Sequence, residues 1–173
     1  TYDNVYYARP HSVWVNAKIM DIYAAAATCV VIAADLAPRF GKTLTALDLF
    51  RLFVTQMDLF DKSKVGTMIV SAHWLSAHSS FKDTIERKFD ITEDIEYIVV
   101  KSGCAEEAAA RYKVARTAGK RVLLALSLHA DEDKLENYDS LVQAINEPTF
   151  IFQDEADYGT HTNRCRAVLK PFV

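Results

Sequence analysis

Short apolar runs alternate with longer mixed runs along this chain. Cys29-Val30-Val31-Ile32-Ala33-Ala34 is compact, apolar and rich in β-branched residues. Runs of the same kind return at residues 67–70, 96–100, 122–126 and 149–152. Runs this short, with no polar alternation, read as strands buried on both faces. The stretches between them read as helices. Residues 13–27 are rich in alanine and follow Pro10-His11-Ser12, with Ser12 as the expected N-cap. From Lys42 onward, Leu44, Leu47, Phe50, Leu52, Phe53 and Met57 recur at near-helical spacing. A helix is expected over 81–89, capped by Ser79 or Ser80. Another is expected over 106–118, stopped by Gly119, and another over 134–145, ended before Pro148. Strands that alternate with helices in this way imply parallel βαβ units with right-handed crossovers. The expected fold is α/β, a three-layer sandwich with a mainly parallel sheet.

Composition narrows this only a little. The chain has 173 residues, which suits one domain. Half of its residues are apolar and a quarter are charged, an ordinary globular balance that argues against whole-chain disorder. A net charge of −3 does not suit a dedicated high-affinity DNA-binding module, which would be basic. It leaves room for a motor that touches nucleic acid through a local patch. Cys29, Cys104 and Cys165 are widely spaced and odd in number, so they read as reduced thiols. The longest apolar stretch, 23–36, is broken by Thr28 and Asp35 and is too short to span a membrane. No signal peptide is visible. The expected location is the cytoplasm, or the host cytoplasm for a viral protein.

Two motifs carry chemistry. Phe40-Gly41-Lys42-Thr43 lies between an expected strand and an expected helix, the setting that a phosphate-binding loop requires. Backbone N–H groups at a helix start can wrap phosphates, and the helix dipole favours the anion. A lysine there neutralises β- and γ-phosphates, and a threonine hydroxyl can ligate Mg²⁺. The full pattern wants a glycine where Leu36 stands. The second motif is Asp154-Glu155-Ala156-Asp157, directly after the apolar run 149–152. Its carboxylates should emerge at the C-terminal edge of the sheet, where ligands bind in open parallel sheets. One carboxylate can hold Mg²⁺ while its neighbour orients and deprotonates water. A chance Gly-Lys-Thr in a turn and an acidic helix start are the plain alternatives.

On these residues the chain resembles the first, RecA-like lobe of superfamily 2 helicases. This is the DEAD/DEAH-like group that includes type III restriction-enzyme motor subunits. Ala37-Pro38-Arg39-Phe40-Gly41-Lys42-Thr43 stands as motif I and Asp154-Glu155-Ala156-Asp157 as motif II. Ile69-Val70-Ser71-Ala72-His73-Trp74-Leu75 sits where motif Ia would be, and Leu126-Ser127-Leu128-His129 on the strand before motif II. The likeness runs from about Ser12 to Arg166. It implies an ATP-binding P-loop lobe that hydrolyses ATP with Mg²⁺. Arg39, Phe40, Gly41, Lys42, Thr43 and Leu44 would hold the nucleotide. Thr43 and Asp154 would hold Mg²⁺, Glu155 would be the general base, and Asp157 would couple the nucleotide site to motif III. Ser71, His73, Ser102, Gly103 and Ser127 would face nucleic acid, DNA in preference to RNA.

The chain also departs from that pattern. No glutamine precedes Gly41 to read adenine, leaving Tyr6, Tyr7 or Arg9 to stack on the base. Motif III and the second lobe, which supplies the arginine fingers, are not recognisable after Asp157. In the family, the motif III strand lies between the strand leading to Lys42 and the strand leading to Asp154, so the sheet is expected to have a gap there. Residues 1–173 are therefore expected to be a single lobe of a longer helicase, with the second lobe as missing partner. Two other readings remain open: a different P-loop ATPase, such as an AAA+-like remodeller, and a nucleotide-binding module without turnover.

Overall fold

The computed structural model describes residues 4–27, 29–72, 75–87, 89–101, 103–127, 138–154 and 170–172. Its centre is a sheet of four strands, β1 (Thr67–Ala72), β2 (Ile95–Val100), β3 (Arg121–Ser127) and β4 (Thr149–Gln153). They stand in the order β2-β3-β1-β4, and every pairing is parallel. Five helices accompany them: α1 (Pro10–Ala25), α2 (Lys42–Thr55), α3 (Leu75–Glu86), α4 (Ala105–Thr117) and α5 (Asp139–Ala144).

The sheet is covered on both faces. Met68 and Val70 of β1, Leu123 of β3 and Phe150 and Phe152 of β4 pack with Leu47 and Phe50 of α2 and Phe81 and Ile85 of α3. On the other face, Ile69, Ile98, Leu124, Leu126 and Ile151 pack with Ala108, Tyr112 and Ala115 of α4 and Leu141 of α5. The central strand β1 is buried at every position, which is why it lacks polar alternation, whereas the edge strand β2 leaves Val99 47% exposed. The result is the expected α/β three-layer sandwich. Outside it, α1 lies on α2 through Met20, Leu49 and Phe53.

Ring contacts fix the direction of α2. Phe53, near its end, meets Phe150 at the start of β4, with ring centroids 5.2 Å apart. The Arg121 guanidinium, at the first residue of β3, sits 4.9 Å from the Phe50 ring centroid. At its beginning, Thr43 bonds to Ser80 of α3, and the adjacent Phe81 packs edge-on against Phe152 near the end of β4. The helix therefore runs antiparallel to the strands, with its N-terminus at their carboxyl edge.

Several local expectations need correction. The run 29–34 forms no strand, and Val31 is 90% exposed. Tyr23, near the end of α1, packs on Phe53, so that helix ends toward the amino side of the sheet. Gly41, which opens α2, stands at the opposite, carboxyl edge. Among the described residues nothing pairs with the outer side of β4. A strand needs a neighbour to satisfy its N–H and C=O groups, so an apolar run without one stays irregular whatever its pattern.

The helix starts also shift. Helix α1 begins at Pro10 with Arg9 as N-cap, and Ser12 is a buried position inside it. Helix α3 begins at Leu75, which puts Ser79 and Ser80 within the helix rather than at its cap. Of the helix expected over 134–145, the structure gives Asp139–Ala144, and 134–137 lie outside the described residues. The stop at Gly119 does occur. Gly119 has φ 78°, its N–H bonds Arg116 O, and the Lys120 N–H bonds Ala115 O, the paired bonds of a Schellman cap.

Candidate functional site

The loop before α2 is turned by two left-handed residues, Arg39 at φ 62° and Gly41 at φ 87°. Glycine adopts this geometry without strain, whereas an L side chain does so at a cost. Gly41 is the N-cap of α2, and no side chain caps the helix. Its carbonyl accepts from Thr45 N–H at 3.0 Å and from Thr45 Oγ1 at 2.9 Å. The first N–H groups of an α-helix have no partner within the helix. Here they belong to Lys42, Thr43 and Leu44, all half-buried.

Helix α1 holds this loop in place. The His11 Nε2 lies 3.3 Å from Phe40 O, and the His11 and Phe40 rings meet edge-on at 4.5 Å. Asn16 Nδ2 donates to Thr45 O at 3.1 Å, and the Thr45 and Ser12 hydroxyl oxygens are 2.9 Å apart, with Ser12 left to donate because the Thr45 proton goes to Gly41 O. Ser12, Asn16 and Thr45 are all buried, so the helix start rests on a fixed polar contact. Leu44 packs into the core beside α2, leaving only its backbone for a ligand.

Asp154 follows β4 directly and is half-buried. Its N–H donates to Ser71 O at 3.2 Å, which continues the β1–β4 ladder one residue past the strand. Alternation along that ladder places Asp154 on the same face as Phe150 and Phe152, the face covered by α2 and α3. Lys42, Thr43 and Asp154 therefore share one edge and one face of the sheet. The oxygen donors there, a threonine hydroxyl and a carboxylate, suit Mg²⁺, which prefers few protein ligands together with water and phosphate oxygens. Among the described residues no three His, Cys, Asp or Glu side chains converge on a point. Glu155, Ala156 and Asp157 lie outside the described residues.

The expected nucleic-acid residues divide. Ser127 ends β3, and Gly103 sits in the turn between β2 and α4 at φ 72°, both at the carboxyl edge. Ser71 is at that edge but does not face outward. It is fully buried, and its position in β1 sets it on the α4 and α5 face, where its Oγ meets no partner among the described residues. It serves instead as the backbone acceptor for Asp154. His73 and Ser102 lie outside the described residues.

The base-stacking candidates also separate. Tyr6 packs against the core, its N–H bonds Asp90 Oδ1 at 2.9 Å, and burial followed by the nearby Asp48 charge raises its pKa. Arg9 caps α1, while Tyr7 is 69% exposed.

Three residues to which the sequence assigned no role at the site contact the α2 start and the loop before it: His11, Asn16 and Ser80, the last expected only as a helix cap. Thr43 Oγ1 and Ser80 Oγ are 2.8 Å apart. Nearby on α3, burial pushes the His78 imidazole below the usual histidine range, partly offset by the Leu126 backbone. A surface hollow of about 340 Å³, lined by Asp58, Asp61, Lys62 and Ser63, lies beyond the other end of α2 and away from this chemistry. Cys29 and Cys104 are free thiols. No described helix is long and apolar enough to cross a membrane. Comparison with protein-family models, curated proteins and solved structures gave no match to this chain.

Proposed function

We propose that this chain is the nucleotide-binding lobe of an ATP-driven nucleic-acid motor of the superfamily 2 type. The observation that carries this reading is the shared position of Lys42, Thr43 and Asp154 on one edge and one face of an all-parallel sheet, with Gly41 opening α2 beneath them. The free N–H groups of residues 42–44 receive phosphate oxygens, and the Lys42 ammonium offsets the charge on the β- and γ-phosphates. Thr43 and Asp154 supply oxygen ligands for Mg²⁺, which neutralises charge between the β- and γ-phosphates when bound. By the family likeness, Glu155 takes the proton from the attacking water. The water oxygen forms the new bond to the γ-phosphorus, and the bond to the β–γ bridging oxygen breaks to release ADP. Gly103, in the turn after β2, and Ser127, the last residue of β3, lie on the carboxyl edge offered to nucleic acid, with DNA as the preferred partner.

A thermal melt with and without ATP·Mg²⁺ tests the site. A ligand that binds only the folded state stabilises it by about 2.7 kcal/mol at one hundred times Kd. The midpoint should rise for the native chain and stay put for Lys42→Ala, whose unliganded midpoint should match the native one. Equal stabilisation of both proteins would remove the assignment.

A further inference from the structure

We infer that Ser80 is a positioning residue for the cation at this site, acting through Thr43; the inference rests on the nucleotide reading above. Thr43 begins α2 and Ser80 lies in α3, and their hydroxyl oxygens are 2.8 Å apart across a separation of 37 residues. A hydroxyl has one proton to give and two lone pairs to offer. A threonine that ligates a divalent cation must turn a lone pair toward the metal, so its proton has to point elsewhere. Ser80 Oγ is the acceptor placed to receive it. With Thr43 donating to Ser80, both lone pairs of Thr43 stay available at the carboxyl edge, on the side of the sheet where Asp154 emerges.

The anchoring of Ser80 supports this role. Its backbone carbonyl accepts from Thr84 Oγ1 at 2.8 Å, one turn further along α3. The next residue, Phe81, is buried against Phe152 of β4, two positions before Asp154. One segment of α3 thus touches both the helix start that carries Thr43 and the strand that carries Asp154. Outer partners of this kind set the orientation of the inner ligand, and their loss typically weakens metal affinity by about tenfold to a hundredfold. Ser80 meets neither phosphate nor cation in this arrangement. Its effect should therefore appear only when the cation is present.

The test is equilibrium binding of ATP to the 173-residue chain, once with Mg²⁺ and once with EDTA, for the native protein, Ser80→Ala, Ser80→Thr and Lys42→Ala. Ser80 is exposed on a helix, where alanine is well tolerated. The expected result is an affinity of Ser80→Ala about tenfold weaker with Mg²⁺ and unchanged with EDTA, with Ser80→Thr restored by its own hydroxyl. Native affinity of Ser80→Ala for ATP·Mg²⁺ would overturn the role of Ser80 while leaving the site itself to be judged by Lys42→Ala. Equal weakening with Mg²⁺ and with EDTA would also overturn it, because that is the signature of a general disturbance of α3. Absence of ATP binding by the native chain would overturn the nucleotide reading and this role together.

Discussion

Replacing Glu147 with alanine should be among the most damaging changes available outside the candidate site. Glu147 stands at the turn between α5 and β4 and ties three elements together. Its Oε1 accepts from Thr67 Oγ1 at 2.7 Å and from Tyr112 Oη at 2.8 Å, and forms an ion pair with Arg116 Nε at 2.7 Å. Its Oε2 accepts from Arg116 Nη2 at 2.8 Å. Thr67 and Tyr112 are buried, while the Glu147 and Arg116 side chains are 24% and 28% exposed. All of these contacts end on an ionised carboxylate, and hydrogen bonds to a charged group contribute about 1.5–3 kcal/mol each. Thr67 Oγ1 and Tyr112 Oη lie 2.7 Å apart and can bond to each other once the carboxylate is gone, and water can reach a quarter-exposed guanidinium, so part of the sum is recovered. The net loss should be about 3 kcal/mol, equivalent to a fall in midpoint of roughly 6–12 °C for a chain of this size. Urea unfolding followed by circular dichroism would measure it, with Tyr112→Phe as a milder companion expected to cost about 1.5 kcal/mol. A loss below about 1 kcal/mol for Glu147→Ala would mean that these four contacts are not the clamp that the geometry describes. The clamp matters for the site because the strand it fixes at one end carries Asp154 at the other.

The remaining predictions follow from single features. Burial opposes ionisation of Glu147, but its bonds from Arg116, Thr67 and Tyr112 outweigh that and hold its pKa below the ordinary carboxylate value. A folded pKa below the unfolded one gives stability that is present above the unfolded value, near 4.3, and lost as pH falls through the folded pKa. Glu147→Gln should therefore show a shallower loss of stability on acidification below about pH 5, measured by urea midpoints across pH. Gly41→Ala should cost about 1–2 kcal/mol because φ 87° is a left-handed conformation, although no atom lies within 4 Å of the new Cβ. A cost near zero would mean that the loop relaxes out of that conformation. Steady-state ATPase assays on residues 1–173 should show slow turnover with little stimulation by single-stranded DNA. In the resembled family the stabilising arginine, which contributes about 10³–10⁵ in rate, comes from the second lobe. Strong DNA-stimulated turnover would place an arginine finger within this chain or in a second copy of it.

The parts of the fold legible in the sequence are those that local chemistry decides. The runs beginning at Thr67, Glu96, Val122 and Thr149 stand out because helices pack on both faces of the sheet, so most of their positions favour apolar residues. The run 29–34 has the same composition and is no strand, because pattern supplies the apolar surface and not the neighbour that completes the hydrogen bonds. Gly119 announced its helix end because the Schellman cap needs a residue at positive φ. Ser12 and the pair Ser79-Ser80 look like caps because a serine ahead of an apolar run reads the same whether it stands before a helix or inside one. Ser12 in fact answers Thr45, and Ser80 answers Thr43. The same limit governs the candidate site. Gly41-Lys42-Thr43 is visible as a contiguous motif at a helix start. His11, Asn16 and Ser80 act on it from 29 to 37 residues away, and only the packing of α1 and α3 on α2 brings them there.

The central claim is that Lys42 and Asp154 serve one ATP·Mg²⁺ from two segments of the chain. Calorimetric titration of ATP, with Mg²⁺ and with EDTA, into the native chain, Lys42→Ala and Asp154→Ala tests it most directly. The account predicts that Lys42→Ala loses binding under both conditions, while Asp154→Ala loses only the additional affinity that Mg²⁺ confers. ATP binding that is unchanged in both variants, or absent from the native chain, would contradict it.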